Sequence, residues 1–141
     1  MEKIIKTKAE MIDFSENIAS KIKNKDIILL NGDLGSGKTF FTNAFINYFN
    51  KIENKQIINV TSPTFNIVKT YKTDNFIIYH FDLYRIKNIE ELYELDIEDA
   101  FNNISIIEWP NIIYDLLPKQ QNIINININL LDNNFRKVII K

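Results

Sequence analysis

Eight consecutive residues, Gly32-Asp33-Leu34-Gly35-Ser36-Gly37-Lys38-Thr39, satisfy the pattern G-x-x-x-x-G-K-[ST] at each fixed position. The chemistry of that pattern is phosphate binding. Its glycines let the backbone turn with N–H groups facing inward, a nest for phosphate oxygens. Lys38 adds a cation for the β- and γ-phosphates, and the Thr39 hydroxyl can ligate Mg²⁺. A helix opening at Lys38 and Thr39 aims the positive end of its dipole at the same group. The chain has three glycines and all of them lie here. A ligand-free glycine turn is the plainer alternative. It is disfavoured by the apolar run just before and the amphipathic stretch just after, the strand and helix that a phosphate loop requires.

Two carboxylates complete the candidate chemistry. Asp82 closes the run Phe76-Ile77-Ile78-Tyr79-His80-Phe81, and Glu108 closes Ile104-Ser105-Ile106-Ile107. In open α/β sheets, ligands sit off the carboxyl ends of the strands, and hydrolysis of a Mg-nucleotide needs an acid near the metal and a group to orient water. Either acid alone reads as a solvated strand end or helix cap, and their spacing leaves open which of them would face the metal. Between the glycine turn and Asp82 lies Thr61-Ser62-Pro63-Thr64, where nucleotide-sensing loops offer hydroxyls to Mg²⁺ or the γ-phosphate. A simple proline turn fits those four residues equally well. His80, the only histidine, shares a strand face with Asp82 and reads first as a packed core residue, as Trp109 reads first as a core anchor.

The elements that must position these groups follow from periodicity. Thr7-Lys8-Ala9-Glu10 has capping-box spacing, and apolar Met11, Ile12, Phe14, Ile18, Ala19 and Ile22 predict a helix to about residue 23. Residues 27–30 form a continuous apolar run, read as a buried strand, and 39–49 read as the helix after the loop. Runs 65–71 and 76–81 predict a hairpin around 72–75. Short helices are expected at 88–95 and 98–101, a buried strand at 104–107, and a helical turn or two at 112–117. Strands at 123–131 and 135–140 flank a turn at 132–134. The fold expected is a three-layer, P-loop-type α/β domain over residues 1–141, its sheet mostly parallel with antiparallel additions.

Composition narrows the function classes. With 17 basic and 18 acidic residues the net charge is −1, and Arg85 and Arg136 are the only arginines, a poor match for autonomous nucleic-acid binding. The absence of cysteine excludes a disulfide framework, a thiolate nucleophile and a cysteine zinc site. The chain contains 28 Ile, 20 Asn and 15 Lys, residue types served by A/T-rich codons. The bias reads as genomic, and alternation such as Asn125-Ile126-Asn127-Ile128-Asn129 suits a half-buried strand rather than a low-complexity tract. No run is long enough to span a bilayer and no signal-peptide core is evident. The expectation is a cytoplasmic protein without a membrane partner.

Taken in order, the glycine motif, Ser62-Pro63-Thr64-Phe65, His80-Phe81-Asp82-Leu83-Tyr84-Arg85 and Glu108-Trp109-Pro110 resemble the signatures of the TsaE (YjeE) family. These are small bacterial P-loop ATPases of tRNA threonylcarbamoyladenosine biosynthesis, and the likeness spans nearly the whole chain. It implies ATP and Mg²⁺ as ligands, held along Asp33, Leu34, Gly35, Ser36, Gly37, Lys38, Thr39 and Phe40. It implies Thr39 and Glu108 at the metal and Asp82 as a further essential acid. Lys38, Asp82 and Glu108 would then form the catalytic set, Ser62 and Thr64 a nucleotide-responsive loop, and Trp109 a neighbour of the nucleotide. Partners implied are the TsaB and TsaD subunits, with TsaD transferring the threonylcarbamoyl group and tRNA contacted only indirectly. Phe40 departs from a threonine common in the family, and Asp96 from a frequent glycine. Competing functions are a small-molecule kinase, a GTPase and a nucleotide-bound scaffold. The first is disfavoured by scarce arginine and the absence of a lid-sized insertion. The second is disfavoured because Asn24-Lys25-Asp26 precedes the loop with wrong spacing and Asn54-Lys55-Gln56-Ile57 lacks the acid.

Overall fold

The computed structural model describes residues 1–141. Its core is one seven-stranded sheet built from β1 (Glu2–Ile5), β2 (Ile27–Asn31), β3 (Val68–Lys72), β4 (Ile77–Asp82), β5 (Ile104–Glu108), β6 (Ile123–Leu130) and β7 (Arg136–Ile140), in spatial order β1-β7-β6-β2-β5-β4-β3. The central four strands, β6-β2-β5-β4, run parallel. The additions are antiparallel: β7 and β1 on one edge, β3 on the other.

The continuous apolar run of β2 is explained by its central place, since both its faces are covered. Ile28 and Leu30 point into one core, with Ile78, Ile106, Ile126 and Val138 from neighbouring strands. That face is covered by α1 (Lys8–Lys21) and α2 (Lys38–Ile52). Helix α1 starts where the capping box places it: Thr7 Oγ1 accepts the Glu10 N–H at 3.1 Å, and Glu10 Oε2 accepts the Lys6 N–H at 2.7 Å. An aromatic ladder at helical spacing locks the pair, with Phe14 to Phe41 at 5.9 Å, Phe41 to Phe45 at 6.1 Å and Phe45 to Phe49 at 5.7 Å. Ile27 and Leu29 point into the second core with Phe81, Ile107, Leu92, Ile97, Phe101 and Ile113. There the cover is α3 (Glu90–Tyr93), α4 (Ile97–Phe101) and a 3-10 turn at Pro110–Leu116.

Two expectations change. Residues 2–5 form a strand that the N-terminal sequence does not announce: four residues are too few to show alternation, and only β7 pairs with them. The run expected from residue 65 becomes a strand at Val68, because Thr64–Asn66 forms a 3-10 turn and Ile67 takes φ 67°, which breaks the extended backbone. The tight turn at 132–134 uses asparagines at φ 67° and 60°, residues that tolerate this region better than most.

One glycine is demanded by packing. A Cβ on Gly32 would lie 2.5 Å from the backbone oxygen of Ile128 and 2.5 Å from Ser36 Oγ. Gly32→Ala is therefore expected to cost about 1–3 kcal/mol of stability by overpacking, read as a lower midpoint in urea denaturation. An unchanged midpoint would mean that the loop and β6 separate freely.

Candidate functional site

The sheet sets the geometry of the site. β2, β5 and β4 are parallel neighbours in a register that pairs Leu30 with Glu108 and Glu108 with Asp82. Both acids thus end adjacent strands at the level where β2 turns into the glycine loop. Ile104, Ile106 and Glu108 alternate onto the α1–α2 face, as do Ile78, His80 and Asp82, so the carboxylates stand on the side from which α2 departs.

The geometry of the loop suits an anion. Gly37 takes φ 117°, a left-handed conformation open to glycine at little cost, and it turns the chain into α2. No side chain caps α2, and its first turn holds no acidic residue, so its leading N–H groups and dipole are free for an external acceptor. Ser36 Oγ is buried without a hydrogen-bond partner. Arg136, from β7, donates from Nε to the Ser36 carbonyl at 3.2 Å and from Nη2 to the Gly35 carbonyl at 3.4 Å. It thereby braces the loop from outside through its carbonyls.

Lys38 is 5% exposed. Its ammonium donates to the carbonyls of Gly32 and Asp33, the latter at 3.1 Å, and lies 4.0 Å from the centroid of the Trp109 ring. Burial pushes its pKa below the usual 10.5, against the opposing pull of Glu108, Asp82 and Asp33. Trp109 adopts φ 57°, ψ 59° directly before Pro110. For a bulky residue this is a strained backbone of the kind that collects at functional sites, costing on the order of 1–3 kcal/mol. It turns the indole over Lys38, where Tyr84 packs against it at 4.8 Å between centroids.

The two acids differ in their partners. Glu108 is 3% exposed, and both its carboxylate oxygens lie 3.3 Å from Thr39 Oγ1. Its Oε2 is also 2.5 Å from His80 Nε2. Asp82 instead accepts from Ser62 Oγ at 2.5 Å and from the Tyr84 N–H at 3.1 Å. Thr39 therefore meets Glu108 and not Asp82, while Asp82 ties the loop at 61–67 to the sheet. A cation between Thr39 and Glu108 would find two oxygen donors suited to Mg²⁺. No group of three His, Cys, Asp or Glu side chains converges anywhere, so phosphate oxygens and water would have to complete its shell.

These groups line one cavity of about 560 Å³. The candidate residues Leu34, Gly35, Ser36, Gly37, Lys38, Thr39 and Phe40 face it, together with Ser62, Thr64, Asp82, Glu108 and Trp109. Asp33 does not; it lines a smaller polar pocket on the other side of the loop, with Asn31, Asn111 and Asn129. Sequence reasoning missed the opposite wall, formed by Ile5, Lys6, Thr7, Lys8 and Met11 with Asn134 and Arg136. Thr7 was legible only as a helix cap, and β1 was not legible at all. Arg136 carried one usable signal, as one of two arginines.

Fold and site define an α/β domain with a mixed sheet and a glycine-rich turn between β2 and α2. The chain belongs to the TsaE family: the family model described as threonylcarbamoyl adenosine biosynthesis protein TsaE matches residues 5–138. A curated tRNA threonylcarbamoyladenosine biosynthesis protein TsaE from Rickettsia typhi is 46% identical over 138 residues, covering 97% of this chain and 92% of its own. One from Rickettsia bellii is 48% identical over 134 residues, covering 94% and 89%. Among solved structures, the crystal structure of Bacillus subtilis YdiB superposes with a TM-score of 0.77 at 24% identity, covering 99% of this chain and 83% of that one, which bears out the expected fold.

The buried lysine has a consequence for stability. Because its folded pKa lies below 10.5, the unfolded chain holds a proton that the folded chain lacks between those two values, and stability rises with pH through that window. The penalty of the buried charge is complete below the folded pKa and gone above 10.5. Wild type is therefore expected to gain stability relative to Lys38→Met as pH rises through that window toward 10.5, measured by urea denaturation of both proteins across that range. A difference between the two that does not change with pH would contradict this.

Proposed function

We propose that this protein binds ATP with Mg²⁺ in the 560 Å³ cavity and hydrolyses it slowly, as the nucleotide-driven subunit of tRNA threonylcarbamoyladenosine biosynthesis. One observation carries the reading: two strand-end acids in register, Asp82 and Glu108, stand beside Lys38 and Thr39 at the mouth of a loop made for phosphate. A glycine turn alone would support binding; the acids supply what hydrolysis needs.

The contacts support a role for each residue. The N–H groups of Gly35 and of Gly37 to Thr39 would hold the phosphates, and Lys38 would leave the carbonyls of Gly32 and Asp33 to neutralise them. Thr39 and Glu108 hold the Mg²⁺, whose charge, when bound, offsets the charge that develops on the transferring phosphoryl group. Asp82, one strand further out and already bonded to Ser62, is the group for orienting water. Ser62 and Thr64 sit on the irregular loop that would register whether a γ-phosphate is present.

Membership of the TsaE family supports the pathway, and the relatives' names supply the substrate class. By the same likeness, the nucleotide cycle serves the TsaB and TsaD subunits, and contact with tRNA falls to them. The near-neutral charge of this chain agrees with that division. No helix is long and apolar enough to cross a membrane, and the reaction belongs in the cytoplasm with its tRNA.

The test is nucleotide binding and phosphate release, with and without the partner subunits. The fluorescence of Trp109, the only tryptophan, reports on binding. Wild type is expected to prefer ATP over GTP and to turn over weakly alone. Lys38→Ala loses binding. Asp82→Ala and Glu108→Ala keep binding and lose hydrolysis by about 100-fold or more. Wild-type hydrolysis in both acid variants would leave a nucleotide-bound scaffold, and phosphate transfer to an added acceptor would make the protein a kinase.

A further inference from the structure

His80 is buried to 0% exposure in the middle of β4, where an isoleucine or phenylalanine would pack at no polar cost. Of its same-face neighbours, Ile78 and Ile106 are fully buried and apolar, whereas Asp82 and Lys69 are polar and less buried. Burying an imidazole costs free energy unless its nitrogens find partners. The ring has one partner: Nε2 lies 2.5 Å from Glu108 Oε2, while Nδ1 has none. A neutral ring protonated on Nε2 meets this arrangement, because Nε2–H donates to the carboxylate and Nδ1 keeps only a lone pair. The register makes the reach possible. His80 stands opposite Ile106, and Glu108 is the next residue on the same face of β5, so the contact runs diagonally across one step of the sheet.

The consequence falls on Glu108. Its contacts to Thr39 are long, 3.3 Å to each oxygen, and hold the carboxylate only loosely. The short bond from His80 sets its rotation and occupies one side of Oε2. We propose that His80 is a positioning residue, which orients Glu108 so that its remaining lone pairs face Thr39 and the cation between them. Partners of this kind behind a metal-ligating group tune affinity by about 10–100-fold. The proposal rests on the reading of Glu108 as the metal-side acid.

Two measurements test it. The chain has a single histidine, so the ring nitrogens of metal-free, ¹⁵N-labelled protein give one assignable set of NMR signals. They are expected to show the Nε2–H tautomer and to shift in Glu108→Gln. An Nδ1–H tautomer, or signals indifferent to Glu108→Gln, overturns the proposal. The second measurement is Mn²⁺ uptake followed by electron paramagnetic resonance on protein saturated with ADP. His80→Leu is expected to weaken Mn²⁺ binding by about 10–100-fold and to leave ADP affinity without metal unchanged. His80→Gln, whose amide nitrogen replaces the Nε2 donor, is expected to recover most of the loss. Equal loss of metal-free ADP binding, or no recovery in His80→Gln, marks a packing role and overturns the proposal. Wild-type Mn²⁺ affinity in His80→Leu sinks this proposal alone. A wild-type chain that takes up no Mn²⁺ with ADP sinks the nucleotide reading as well.

Discussion

Three parallel strands end together, and the site depends on that alignment. With Leu30, Glu108 and Asp82 side by side in the register of β2, β5 and β4, two carboxylates are delivered to the exit of the glycine loop. A slip of one residue in either pairing would turn the corresponding acid to the opposite face of the sheet, into the core formed with α3 and α4. Register is strongly specified here because both faces are buried. Ile27 and Leu29 serve one core, and Ile28 and Leu30 the other, so a slipped β2 would match neither.

That same alignment gathers charge in a place where charge is expensive. A nearly buried ammonium, a carboxylate at 3% exposure and a fully buried imidazole sit within one cluster, and each is tolerated because it is bonded to a neighbour. Lys38 rests on the carbonyls of its own loop and under the Trp109 ring. Glu108 is shared by Thr39 and His80, and Asp82 by Ser62 and the Tyr84 amide. The positive-φ residues Thr64 and Trp109 line the cavity, placing strained backbone beside the cluster. The aromatic ladder and the two apolar layers offset those costs elsewhere. A phosphate group would relieve several of them at once, by giving Lys38, the open α2 amides and Ser36 Oγ a common partner.

The isoleucine and asparagine bias has a structural use whatever its origin. Ile126 and Ile128 of β6 enter the main core, and Asn125, Asn127 and Asn129 alternate to the other face. There Asn125 accepts a hydrogen bond from Asn31 at 2.7 Å. A strand held on both sides, by β2 and β7, exposes no free edge, so its asparagines serve the fold rather than aggregation.

The strand, glycine turn and helix around Gly32 to Thr39 were legible from the chain, because the pattern is local: glycines, a lysine and a threonine must be consecutive to turn the backbone and open a helix. The apolar run of β2, the capping box of α1 and the helical face of α2 were legible for the same reason, since periodicity over a few residues is dictated by the element itself. The two acids were visible as strand ends, but no local rule says which stands beside Thr39. That answer lies in Thr39 reaching Glu108 across 69 positions of sequence. Likewise His80 could be read only as core until the sheet set it diagonally behind Glu108. The wall made by β1, the start of α1 and Arg136 had no signal of its own, because it exists only once an edge pairing joins the two ends of the chain. Local bonding patterns are written in neighbouring residues, whereas contacts between distant segments are decided by strand order and register, which no short stretch of sequence contains.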